Sequence, residues 1–337
     1  MSAKVSIVIK ALNEQNNIER ALRSALAAAE AVDGEVILAD SYSTDQTIAI
    51  AKQFPVKIVQ LSDPCERSCG IGAQLGYQYA QGEFIYILDA DMEISIAFLH
   101  KAIELMMQQI TLAGVGGQVE EMQLDSLEFQ ARVQRSAEDM RAGEVDHLAM
   151  GGLYRRSAID QIGYLTNRNL HSYEEFELGI RLRAAGWRLM RLPIISVKHY
   201  GHTMPAYRLL KKRWSSRYAQ GVGELLRASL GKTHMPLLLK ELSELKLYMG
   251  VFIWWIVLLT TLALVRPWTT AIFLFAVLLA LPFAAMIIKK RNLALGMYAV
   301  IAWQYFTAGL LLGLLRKQTH PSGHISSSVL SQERISS

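Results

Sequence analysis

The sequence predicts an α/β domain built on a mostly parallel sheet, followed by a membrane-embedded C-terminal part. Three observations carry this. Short β-rich runs alternate with stretches of helical periodicity over the first hundred residues, the pattern of βαβ units. One run, residues 84–88, is apolar throughout, as suits a central strand covered on both faces, and leads straight into Asp89-Ala90-Asp91. Beyond about residue 246 the chain turns almost entirely apolar.

Taken in order, residues 5–9 form a first strand and Ala11-Leu12-Asn13-Glu14 a turn. Ile18, Ala21, Leu22, Ala25 and Leu26 then recur at helical spacing. Residues 35–39 form a second strand ending at Asp40, and a polar turn with Asp45 opens a helix that Pro55 stops before a third strand at 56–60. A Gly-rich helical stretch precedes the strand ending at Asp89. This alternation implies right-handed crossovers and makes residues 1–110 a nucleotide-binding-like half domain. Such sheets hold ligands at the carboxyl ends of their strands, where Asn13-Glu14 and Asp40 fall. Each carboxylate can accept hydrogen bonds from a ribose or base edge, or serve only the turn, and Asp45 is equally a helix cap or a ligand. Gly70-Ile71-Gly72 is no dinucleotide fingerprint: it lacks the preceding strand, and its third glycine, Gly76, falls one place late.

On an extended chain Asp89 and Asp91 project to one side. Two carboxylates so placed repel unless a cation sits between them. The pair therefore reads either as a divalent-metal site or as the solvated acidic turn that ends many strands.

The segments SIVIKALNE, LADSYSTDQT and FIYILDADME, in that order and spacing, resemble the donor half of family 2 glycosyltransferases. MGGLYRRSAIDQIG, YEEFELGIRLRAAGWRL and VKHYGH continue the likeness into the acceptor half, so that it covers residues 4–203. These are inverting enzymes of the GT-A fold that use nucleotide-diphosphate sugars, and the chain is most similar to membrane-tethered members of bacterial exopolysaccharide assembly, of the succinoglycan type. The resemblance implies that Glu14 and Asp40 hold the nucleoside, that Asp89 lies near ribose and metal, and that Asp91 ligates Mg²⁺ or Mn²⁺. Gly151 and Gly152 would form the loop beneath the sugars, Glu175 would be the catalytic base, and His199 would contact the metal. The donor implied is a nucleotide-diphosphate sugar, a UDP-sugar in the first instance, and the acceptor a lipid-linked saccharide. Three departures stand out. Glu174-Glu175-Phe176-Glu177-Leu178 replaces the usual Glu-Asp-x-Glu-Leu, Lys10-Ala11-Leu12 replaces Pro-x-Tyr, and Ala73-Gln74 stands where Arg-Asn is frequent.

The residues themselves are compatible with more than one role here. Residues 174–185 read as a helix, and acidic side chains in a first turn are favoured by the helix dipole whatever their function. His199 could equally be a satisfied histidine at a strand end, with His202 as the alternative ligand. Residues 119–147, polar with Phe129, Val133 and Met140 at helical spacing, stand where the family varies its acceptor recognition.

The chain carries 35 Lys and Arg against 30 Asp and Glu, a net charge of +5, with much of the basic excess in residues 208–240. Basic residues interleaved with Tyr207, Leu210, Trp214 and Tyr218 favour an anionic membrane surface over nucleic acid, so residues 204–246 read as interfacial helices. A basic solvated surface helix is the plainer alternative. Arg213-Trp214 matches the end of the Gln-x-x-Arg-Trp motif of processive synthases, but Leu210 occupies the Gln position. Residues 247–265, 268–288 and 293–315 each approach the ~20 apolar residues that cross a bilayer. With the catalytic domain on the cytoplasmic face of the inner membrane, the Lys289-Lys290-Arg291 triplet is cytoplasmic as well, and Arg316-Lys317 lies outside. The Ser-rich residues 317–337 are expected to be disordered. No signal peptide is expected, and Cys65 and Cys69 read as reduced cytoplasmic thiols. A processive synthase and a non-catalytic nucleotide-sugar-binding scaffold remain the rival readings.

Overall fold

The computed structural model describes residues 4–122, 141–149, 151–201 and 204–331. His202 and most of the 119–147 segment lie outside the described residues, among them Phe129, Val133 and Met140. The chain divides into two compact units, residues 1–203 with 317–337, and residues 204–316.

The first unit is a mixed sheet of ten strands among the described residues. Strands β1 (Val5–Ala11), β2 (Gly34–Asp40), β3 (Lys57–Leu61) and β4 (Phe84–Asp89) pair in parallel in the order β3-β2-β1-β4. Strands β1, β2 and β4 are buried on both faces, which is why they read as largely apolar runs rather than alternating ones. Helices α1 (Ile18–Ala31), α2 (Thr47–Ala51), α3 (Cys69–Tyr79) and α4 (Ile96–Gln108) make the crossovers. Helix α1 turns Ile18, Ala21, Leu22, Ala25 and Ala28 into the core, as its spacing required. Ser68 and Ser95 cap α3 and α4 by accepting from the amides of Ile71 and Phe98.

Beyond β4 the sheet ceases to be parallel. Strand β5 (Met92–Ile94) pairs antiparallel with β9 (Arg188–His199), and β8 (Gly152–Arg155) antiparallel with both β4 and β6 (Leu112–Glu121). Only β6 and β9 run parallel in this half, and the two-residue β7 (Gly143–Glu144) joins β9. Helices α5 (Arg156–Ile162) and α6 (Glu174–Ala184) complete the unit.

For the described part of the tail, residues 317–331, the expectation of disorder is overturned. Residues 327–331 form a tenth strand, β10 (Ser327–Ser331), antiparallel to β3. Side chains of the domain satisfy the backbone that leads to it. Arg168 Nη1 donates to the carbonyls of Gly323 and His324 at 3.1 and 3.0 Å. The Gln78 amide exchanges bonds of 3.2 and 2.9 Å with Ile325, and Ile325 is fully buried in the core beside Val59 and Leu61. A Ser-rich composition lacks the apolar area to fold alone, but here the open edge of β3 supplies the partners.

The second unit holds α7 (Ala206–Ser215), α8 (Gly221–Ser229), α9 (Met235–Glu241) and three long helices, α10 (Glu244–Leu264), α11 (Trp268–Lys290) and α12 (Leu293–Leu315). The three are long and apolar enough to cross a membrane.

Replacing Ile325 by Ala tests whether the tail is part of the fold. Deletion of a buried isoleucine to alanine costs about 2–5 kcal/mol, so Ile325→Ala should lower the thermal midpoint of the purified protein by several degrees. An unchanged midpoint would mean that the tail does not dock.

Candidate active site

The register of β1 on β4 sets Lys10 beside Asp89. The Lys10 ammonium lies 2.9 Å from Asp89 Oδ1 and 3.7 Å from Glu174 Oε1, at the first residue of α6. Burial works against this charge, but Asp89, Glu174 and Glu175 outweigh it and hold Lys10 protonated well above the ordinary lysine range. Glu175 is half-buried and its field also reaches two buried phenols. Burial, and after it the Glu175 charge, raises Tyr86 and Tyr154 so that both stay neutral. Lys10, Asp89, Glu174 and Glu175 therefore form one charged cluster at the carboxyl end of β1 and β4, where open α/β sheets hold ligands.

Asp91 belongs to a second cluster. The chain turns at Ala90-Asp91 instead of staying extended. Asp91 Oδ2 lies 3.3 Å from His199 Nε2, and His199 Nδ1 lies 2.5 Å from Glu121 Oε2. Register again explains this, because β9 sets His199 against Glu121 of β6 and against Met92 of β5. Burial alone would lower the imidazole, but hydrogen bonds and charge from Asp91 and Glu121 raise it to about 9.

The other expected positions are structural in their contacts. Asp40 is fully buried, and its carboxylate accepts from the Ser43 amide and hydroxyl at 2.8 and 2.5 Å and from Gln60 Nε2 at 2.9 Å. Its bonds hold the loop after β2. Glu14 accepts from Asn17 Nδ2 at 3.0 Å, while its own amide donates to Thr47 Oγ1 at 2.8 Å. Asn13 and Asp45 lace the same two loops together: Thr44 N donates to Asn13 Oδ1, and Gln15 N and Thr47 N donate to Asp45. Gly151 has φ +92°, and a Cβ there would lie 3.1 Å from Tyr86 Oη, so the chain passes the site where only glycine fits without strain. Gly152 opens β8, beneath Leu148.

Of the competing glutamates in α6, Glu177 turns away. It is buried against Arg181 at 2.8 Å and accepts from Tyr164 Oη at 2.7 Å. Two site residues were not singled out from the sequence. Lys10 carried a visible signal, a cation at the end of an otherwise apolar strand. Glu121 carried none, since its role comes from the pairing of β6 with β9.

Residues 6–163 match the family model described as Glycosyl transferase family 2. This part of the chain is a family 2 glycosyltransferase domain. The chain is 27% identical over 105 residues to a dolichol-phosphate mannosyltransferase of Pyrococcus furiosus, covering 30% of this chain and 29% of the relative. It is 28% identical over 179 residues to an undecaprenyl-phosphate 4-deoxy-4-formamido-L-arabinose transferase of Sodalis glossinidius, covering 49% of this chain and 53% of the relative. The matches thus span between under a third and about half of those relatives. Among solved structures, a mannosyltransferase from Pyrobaculum calidifontis in complex with GDP-Man and Mn²⁺ superposes with a TM-score of 0.61 at 18% identity, covering 94% of this chain and 88% of that one. S. aureus TarS 1-349 gives a TM-score of 0.50 at 14% identity, covering 91% and 90%. The fold of the family 2 domain is GT-A, followed by three apolar helices.

His199 holds its proton more tightly in the folded protein than in the unfolded chain, where its pKa is about 6.5. In chelator the cluster therefore stabilises fully below about pH 6.5, and this contribution is lost as the pH rises through about 9. The thermal midpoint of the wild type should exceed that of His199→Gln by more at about pH 6 than at about pH 9.5. A difference that stays constant or grows with pH would contradict a protonated His199.

Proposed function

We propose that the chain transfers a sugar, with inversion, from a nucleotide-diphosphate sugar to a lipid-linked acceptor at the cytoplasmic face of the inner membrane, as a step of polysaccharide or glycolipid assembly. The observation that carries this reading is the gathering of Glu174, Glu175, Asp89 and Lys10 at the carboxyl end of β1 and β4, next to the Asp91–His199 pair. Polyprenyl-phosphate substrates in the names of both relatives, and the nucleotide sugar bound in the Pyrobaculum structure, support the substrate classes. A UDP-sugar is the first donor to assay.

In this reading Glu175 accepts the proton of the acceptor hydroxyl. That oxygen attacks the anomeric carbon, and the bond to the diphosphate breaks with its electron pair leaving on the diphosphate. Glu175 stands in the first turn of α6, between Glu174, which faces Lys10, and Glu177, which is held by Arg181. The Lys10 ammonium lies against Asp89 and Glu174 and offsets negative charge beside Glu175. Asp91 and His199 suit a divalent cation: their ligating atoms lie 3.3 Å apart, and Glu121 orients the imidazole through its other nitrogen. Mg²⁺ or Mn²⁺ held there together with donor phosphate oxygens would offset the charge on the leaving diphosphate.

Radiolabelled nucleotide sugar supplied to isolated membranes, with Mg²⁺ or Mn²⁺ and then with chelator, tests the activity. Glu175→Gln keeps the shape but cannot take a proton, and should lower turnover by ~10²-fold or more while donor still binds. Glu177→Gln should lower stability and leave the turnover of folded protein near normal. If Glu175→Gln retains wild-type turnover, the base is misassigned; if no donor is turned over under any condition, the chain is a binding scaffold.

Lys10→Met separates charge from shape. Without the ammonium, Asp89, Glu174 and Glu175 repel, so the acid limb of the pH–rate profile should move to higher pH and turnover should fall by ~10-fold or more. An unmoved acid limb would show that Lys10 does not tune the base.

A further inference from the structure

The path of the chain constrains its crossings of the membrane. It leaves the first unit at residue 203 and rejoins that unit at residue 317, where β10 is hydrogen-bonded into the same sheet as the donor strands. A chain that departs from a sheet and returns to it ends on the side where it started, so its crossings are even in number. Yet three helices, α10, α11 and α12, are long and apolar enough to cross.

Packing within the second unit identifies the odd one. Helix α12 runs side by side, and in the same direction, with the stretch from α7 to α8. The rings of Tyr207 and Tyr298 lie 5.4 Å apart, and those of Trp214 and Tyr305 5.5 Å. Further along, the two backbones meet through glycines. A Cβ at Gly309 would fall 2.1 Å from the Ala219 carbonyl, and one at Gly313 2.2 Å from that of Gln220. At the end Arg227 Nη1 donates to the Leu314 carbonyl at 2.6 Å, and Arg316 lies 3.4 Å from the fully buried Glu224. The run from Tyr298 to Arg316 is about 27 Å long at ~1.5 Å per residue, and its partner keeps step throughout.

That partner cannot enter hydrocarbon. Arg208, Lys211, Lys212 and Arg217 are exposed along it, with Arg213 half-exposed, and each such charge is strongly disfavoured at the centre of a bilayer. Basic side chains among Tyr207, Trp214 and Tyr218 instead match the headgroup region of an anionic leaflet. What is fastened to this stretch along its whole length must lie where it lies. Helix α12 is also the one of the three long helices most covered by protein.

We infer that α12 does not cross the membrane but lies with α7 and α8 in the interface, as one composite surface for anionic lipid headgroups. The chain crosses twice, outward through α10 and back through α11. The Arg266-Pro267 turn is on the far side, and Lys289-Lys290-Arg291 returns to the side of the catalytic domain. Trp254 Nε1, donating to the Leu278 carbonyl at 3.0 Å, ties the two crossing helices near mid-depth. Both ends of α12, and Arg316-Lys317 after it, are then on the catalytic side, opposite to the placement that three crossings require.

Reporter fusions to the two ends of the full chain, expressed in a Gram-negative host, read the crossings. Green fluorescent protein and alkaline phosphatase should report the same side for the N- and C-termini, and an impermeant maleimide should reach Thr269→Cys only from the opposite side. A C-terminus on the side of Thr269→Cys means three crossings and overturns the inference, as does a Thr269→Cys on the same side as both termini. Spin labels at Leu293→Cys, Ala308→Cys and Leu315→Cys, in vesicles containing phosphatidylglycerol, read the depth of α12. All three should lie at headgroup depth, and a label at Ala308 in the bilayer centre would show that α12 spans.

Discussion

The concentration of three carboxylates at the carboxyl end of β1 and β4 is the constraint on which the candidate site depends. Asp89, Glu174 and Glu175 crowd one rim of the sheet, and carboxylates so close suppress one another's ionisation unless a counter-charge is built in. Lys10 is that charge, placed by the register that sets it beside Asp89. The site is thus charge-balanced by the chain itself at one corner.

The second corner is built by different means. Asp91 and His199 come from separate strands, and Glu121 fixes the imidazole from behind. A histidine held between two carboxylates holds its proton more tightly than a free imidazole does. The turn at Ala90-Asp91 keeps this corner distinct from the Lys10 corner, although only one residue separates the two aspartates.

Around the site, the loops after β1 and β2 are cross-laced by Asn13, Glu14, Asp40, Asp45 and Thr47. Rigidity here comes from side chains that a sequence reading assigns to ligand contact. The tail adds closure on the far edge of the sheet, where β10 covers β3. An exposed β3 edge would be a template for other chains. A tail drawn from the end of the same polypeptide protects that edge and ties the membrane unit to the catalytic unit at both of its ends.

By itself the sequence determined the donor half, because its signals are local. Parallel strands buried on both faces read as apolar runs, α1 shows its buried face in its spacing, and the three long helices announce themselves by length and hydropathy. The positions of Asp89, Asp91, Glu175 and His199 at element ends were legible for the same reason. What those residues touch was decided only by tertiary structure. Lys10 meets Asp89, and Glu121 meets His199, through strand register, a relation between segments distant in the chain. Glu177 and Glu175 look alike in sequence, and Arg181 with Tyr164 separates them. Asp40 ends its strand as expected, and its bonds to Ser43 and Gln60 come from the loop and the neighbouring strand. The tail shows the limit most plainly: composition measures what a segment can bury alone, whereas residues 318–331 fold because β3 and Arg168, Asn169 and Gln78 offer them bonds they could not make for themselves.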